Sequence, residues 1–102
     1  MNNLSTDLDS PLSRPYFLWD APMTVVELRE ELNSAPDDER FRLLGKILRE
    51  ARDYEVWKFT TPLEVWQNWQ QISKHLGRRL AFWKSLFEFW DREGLLNEKH
   101  TQ

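Results

Sequence analysis

Apolar residues recur at helical spacing along most of this chain, and the phase of that recurrence changes from one stretch to the next. Val25, Leu28 and Leu32 form one stripe, which predicts a helix over about 25–33. Thr24 followed three residues later by Glu27 is a capping box at its start, and Asn33-Ser-Ala-Pro36 ends it. Glu27, Glu30 and Glu31 fall on the outward side. Phe41, Leu44, Ile47, Leu48 and Ala51 predict a second helix over about 37–52. Ser34 is its candidate cap, and Asp37, Asp38 and Glu39 suit the positive end of its dipole. Arg42, Lys46 and Arg49 share another side of it and read as a solvated basic face, partly paired by Glu39 and Glu50.

The third periodic stretch is Val65, Trp69, Ile72 and Leu76. It opens on the strongest local signal in the chain. Thr61 caps, Pro62 takes the first helical position, and Glu64 completes a capping box. Gln67, Asn68, Gln71 and His75 form an uncharged polar back, and Gly77 suits a C-terminal cap. A fourth helix is predicted over about 78–93, ended by Gly94, so that 61–94 forms a helical hairpin turning at Gly77. Leu80, Phe82, Trp83, Leu86, Phe87, Phe89 and Trp90 occupy about half of its circumference, whereas a one-sided surface helix needs a stripe of about 100°. The last helix is therefore either the central helix of the fold or a carrier of surplus apolar surface.

Two stretches lack helical periodicity. Pro11 to Pro22 brackets Tyr16-Phe17-Leu18-Trp19 with prolines, which predicts an extended aromatic strap laid across the helices. Asp53 to Thr60 reads as an irregular link with at most a two-strand contact to the strap. Residues 1–10 are polar and read as a disordered tail, and 97–102 as a second tail. The expectation is a mostly α, compact four-helix domain spanning 11–96 with an extended N-terminal strap.

Composition narrows the functional classes. Aromatic residues make up 14% of the 102, and six are tryptophan, so a small chain can build a core from few large side chains. A net charge of −3 gives no long-range attraction to nucleic acid or anionic lipid. Without cysteine there is neither a disulfide frame nor a thiolate zinc site. The first ten residues lack a basic and an apolar signal-peptide region, and no apolar run approaches the roughly 20 residues of a membrane span. A cytoplasmic protein without membrane association is expected.

Catalytic equipment is sparse. His75 and His100 are the only histidines, and Gly45, Gly77 and Gly94 are too far apart for a phosphate loop. Asp53, Glu55 and Lys58 sketch a nuclease-like cluster, but the spacing has one residue too many and no sheet supports it. No enzyme, cofactor or metal is expected. Two readings remain. One is a protein-interaction module, homodimeric or covering another protein, with Tyr16, Trp19, Trp66, Trp83 and Trp90 as anchors, because aromatic residues dominate interfaces. The other is a DNA-binding helix-turn-helix over 72–93, with Arg78, Arg79, Lys84 and Arg92 touching phosphates. Arg78 stands where that motif places an apolar residue, and the last helix has little room for base-reading side chains.

Three segments, Gly45 to Pro62, Leu76 to Trp83 and Pro15 to Asp20, together resemble a group of small bacterial proteins encoded beside nucleotidyltransferase-type toxins. The likeness runs over about residues 15–96. It implies an antitoxin-like or accessory role and carries over no functional residue.

Overall fold

The capping signals read from the sequence place the helices of the computed structural model, which describes residues 4–96. Helix α1 spans Val25–Ser34. Thr24 Oγ1 accepts the Glu27 amide while Glu27 Oε1 accepts the Thr24 amide, the reciprocal pair expected of a capping box. The two remaining first-turn amides donate to the preceding chain: Val25 N–H to the Ser13 carbonyl at 2.8 Å and Val26 N–H to that of Pro11 at 3.0 Å. The N-terminal arm is thus part of the cap of α1.

That arm is not a tail, and it is an extended strap only outside Tyr16–Leu18. β1 (Leu4–Ser5) pairs in parallel with β2 (Arg14–Pro15), and Leu8 between them is 2% exposed. The tail expected over 1–10 is corrected for residues 4–10, where one leucine among polar neighbours finds the core. Residues 1–3 and the tail expected over 97–102 lie outside the described residues. Tyr16–Leu18 forms a single turn of 3-10 helix, which drives Phe17 and Leu18 inward together. The proline pattern excluded a long helix there and left a short one open.

Helix α2 spans Asp37–Glu50, and its N-terminal neighbour is Pro36, without a side-chain cap. Ser34 instead bonds the Glu30 carbonyl one turn back, so its expected capping role is corrected. α2 is the hub of the packing: α1, the 16–18 turn, and residues 53–58, 69–75 and 77–79 all touch it. Phe41 and every residue from Leu43 to Leu48 are buried. This includes Lys46, 6% exposed, whose Nζ meets Asp20 Oδ1 at 2.6 Å and sits 5.3 Å from the Trp19 ring. The solvated basic face expected of Arg42, Lys46 and Arg49 is therefore corrected at Lys46. Arg42 pairs with Glu39, and Arg49 pairs with Glu50 and donates to the His75 carbonyl.

Residues 53–58 form a 3-10 segment with Val56 and Glu55 buried. Tyr16 joins this segment to the arm, its hydroxyl donating to Glu55 Oε1 and accepting the Arg52 amide at 2.7 Å. Burial and then the bond to Glu55 push the Tyr16 phenol up to about 12.

The predicted third helix is broken. α3 spans Pro62–Gln67 and α4 Trp69–Ile72, followed by 3-10 turns at 73–75 and 77–79. At the break Asn68 leaves the helical region and turns its own amide side chain back to the Glu64 carbonyl. Thr61 caps α3 as read, but Glu64 does not reciprocate: its carboxylate takes the Thr60 hydroxyl and Arg40. The chain reverses at Gly77, whose φ of +52° is the left-handed conformation that favours glycine. α5 then runs over Leu80–Arg92 and stops before Gly94 at φ +75°. The result is a mostly α, compact domain with one two-residue strand pair among the described residues.

Candidate functional site

The aromatic residues separate into a buried group and an exposed group, and α5 belongs to both. On its inner side Phe87 is fully buried, and the rings of Trp57, Trp66, Trp69, Trp83 and Trp90 all lie within 6.4 Å of it. Trp66 stacks on it at 4° between planes, and Trp90 meets it edge-on at 84°. Five of the six tryptophans thus surround one phenylalanine, which assigns them to holding α3, α4, α5 and the 53–58 segment together. Trp83 also donates its indole N–H to the Leu48 carbonyl at 2.8 Å. That carbonyl lies in the last turn of α2, and the Arg52 amide four residues on is taken by Tyr16. The indole therefore completes the C-terminal end of the central helix.

The outer side of α5 carries a second set of rings. Phe82 is 44% exposed and Phe89 47%. Seven residues apart, they sit two helical turns above one another, about 140–160° round the helix from Phe87. With Ala81, Ser85 and Leu86 they line a shallow groove of about 550 Å³. Arg79 lies over Phe82 at 4.6 Å and Arg92 over Phe89 at 5.9 Å. The groove therefore has cationic side chains at both ends of an apolar floor. No element among the described residues covers it.

Of the anchors expected from sequence, Trp83 is corrected: at 1% exposure it is core. Trp66, Trp90 and Tyr16 are half-buried, the first two against Phe87 and the third in its bond to Glu55. Trp19 stands 63% exposed over Lys46, away from the groove. The groove residues Phe82 and Phe89 were absent from the anchor set, although their seven-residue spacing, out of phase with Trp83, Phe87 and Trp90, marked a separate stripe.

The cations of the alternative reading do not form one surface. Arg79 is held by Asp53 and stacked on Phe82 and Trp83. Arg78 is exposed beside Arg49 and Glu50 in a cleft at the Gly77 turn. Lys84 is exposed on α5, and Arg92 lies one turn beyond Phe89. The helix that would precede the turn has only the four residues of α4 before it tightens into 3-10 geometry. Asp53, Glu55 and Lys58 are likewise dispersed into separate contacts, with Arg79, Tyr16 and Asp9 respectively. Among the described residues no group of three His, Asp or Glu could hold a metal ion, and no helix is long and apolar enough to cross a membrane.

No protein-family model matches this chain, and neither a curated protein nor a solved structure matches it.

Proposed function

We propose that this protein is a non-enzymatic interaction module that docks another protein chain on the outer side of α5. One observation carries the reading: Phe82 and Phe89 lie half in solvent on one stripe, although the same helix buries Trp83 and Phe87 completely. Large aromatic side chains fixed on a rigid helix lose little conformational freedom on binding, which is why they anchor interfaces. Here the inner ring cluster fixes the helix. The sequence likeness to proteins encoded beside nucleotidyltransferase-type toxins makes such a toxin the first partner to try, with this chain as its antitoxin-like accessory.

Co-purification tests the reading. The wild type is expected to retain a neighbouring nucleotidyltransferase-type protein through gel filtration, and Phe82→Ser/Phe89→Ser to lose it while keeping its fold. Retention by both removes α5 from the interface. The helix-turn-helix alternative is the less supported, because the outer side of α5 is apolar where base-reading polar groups would be needed and Arg79 is already paired.

A further inference from the structure

In a chain whose net charge is −3, the cleft at the Gly77 turn gathers three guanidinium groups. It has a volume of about 290 Å³ and is lined by Arg49, Glu50, Arg78 and Arg79. Three cations against one carboxylate give this lining a net charge of +2. The turn itself brings them together. Arg49 stands in the last turn of α2. Gly77, at φ +52°, reverses the chain directly against it, so that an added Cβ there would lie 3.5 Å from Arg49 Cδ. Arg78 and Arg79 follow at once in the 77–79 turn and come to lie beside Arg49.

Two of the three are fixed in place. Arg49 donates from Nη1 to the His75 carbonyl at 2.8 Å and from Nε to Glu50 at 2.9 Å. Arg79 donates from Nη2 to Asp53 and lies over the rings of Phe82 and Trp83, 4.6 and 5.7 Å from their centroids. A guanidinium has five N–H donors, so these contacts orient both groups and leave donors over. Arg78 is exposed, and among the described residues no ion pair involves it. Two oriented forks and a third that is free to close match a group with several outward oxygens and more than one negative charge.

We propose that this cleft binds the terminal phosphate or diphosphate group of a small phosphorylated molecule. Arg49 and Arg79 receive the group from preset positions, and Arg78 closes over it from the solvent side. A terminal phosphate carries close to two negative charges near neutral pH and three strong acceptor oxygens, one for each guanidinium. A phosphodiester within a nucleic-acid strand has a single charge, and the strand would run on past the carboxylates of Glu50 and Asp53. The cleft therefore favours an end group over a backbone. It shares only Arg79 with the docking face of α5, and either site can exist without the other.

Calorimetric titration of the full chain with pyrophosphate, at low ionic strength and near neutral pH, reads the site directly. One saturable site is expected, with a Kd below about 1 mM. Arg78→Ala is expected to weaken it about tenfold. Glu50→Gln is expected to tighten it about threefold, because it removes the carboxylate that repels the ligand. Arg92→Ala, at the far end of α5, is expected to leave it unchanged. A short single-stranded DNA with a 5′-hydroxyl offers only internal phosphodiesters and is expected not to compete. Absence of saturable binding up to about 10 mM, equal losses in Arg78→Ala and Arg92→Ala, weaker binding in Glu50→Gln, or competition by that DNA overturns the proposal.

Discussion

On its inner side α5 presents Trp83, Phe87 and Trp90 to a nest of further rings; on its outer side it presents Phe82 and Phe89 to solvent. Both sides are aromatic and both belong to one helix of 13 residues. They differ in what faces them. The inner side meets Trp57 from the 3-10 segment and Trp66 and Trp69 from the broken third helix. Among the described residues the outer side meets the guanidinium groups of Arg79 and Arg92, and Phe82 touches Trp83 of the same helix edge-on. Residue type thus does not separate core from surface in this chain; phase around the helix does.

The comparison breaks most sharply at Phe87. Phe87→Ala removes the ring on which five tryptophans converge and is expected to cost about 3–5 kcal/mol of stability in urea denaturation. Phe89→Ala, two residues on, removes the same atoms from the outer side and is expected to stay within about 1 kcal/mol. Comparable losses at the two positions would mean that the outer ring is structural.

Next in size is Gly45→Ala. Helix propensity alone favours alanine by about 1 kcal/mol. At Gly45, however, an added Cβ would lie 2.3 Å from the His75 Cβ, an atom fixed to the backbone. α2 and the 73–75 turn would have to separate, so the substitution is expected to destabilise by about 1–3 kcal/mol. A gain in melting temperature would show that this close approach yields readily. Trp83→Phe keeps an aromatic ring but leaves the Leu48 carbonyl without its donor, and about 2 kcal/mol is expected from the lost bond and volume.

Much of this was legible beforehand. Thr24 and Glu27, Thr61 and Pro62, and Gly77 carried local signals that tertiary packing left intact, so the helix starts and the reversal fell where expected. Elsewhere long-range partners decided the outcome. Leu8 looked like part of a polar tail because its partners lie in other segments. Lys46 read as solvated because the pairing carboxylate, Asp20, is 26 positions away in sequence. Glu64 carried the capping pattern, yet Arg40 and Thr60 drew its carboxylate elsewhere. The exposed stripe was half legible: the width of the apolar arc on the last helix announced a surplus. Which residues form that surplus depended on where Trp57, Trp66 and Trp69 come to rest, and no local pattern records that.

A smaller effect is expected at the arm. With its phenol raised to about 12 from an ordinary value of 10.0, Tyr16 contributes stability that is intact below about pH 10 and lost as pH rises through 12. In a Tyr54→Phe background, where Tyr16 is the only remaining tyrosine, the tyrosinate absorbance is expected to rise with a midpoint near 12. Tyr16→Phe leaves Glu55 and the Arg52 amide without their shared partner and is expected to cost about 1–2 kcal/mol near neutral pH, with no change in association through α5.

The account turns on whether protein covers the outer side of α5 in the cell. A photo-crosslinking phenylalanine analogue placed at position 89 tests this in living cells, with the same analogue at Leu12, 80% exposed and outside the groove, as the reference. The account predicts a discrete light-dependent product at position 89, either this chain linked to itself or this chain linked to one other protein, and none at position 12. No product at position 89, or the same products at both positions, would contradict it.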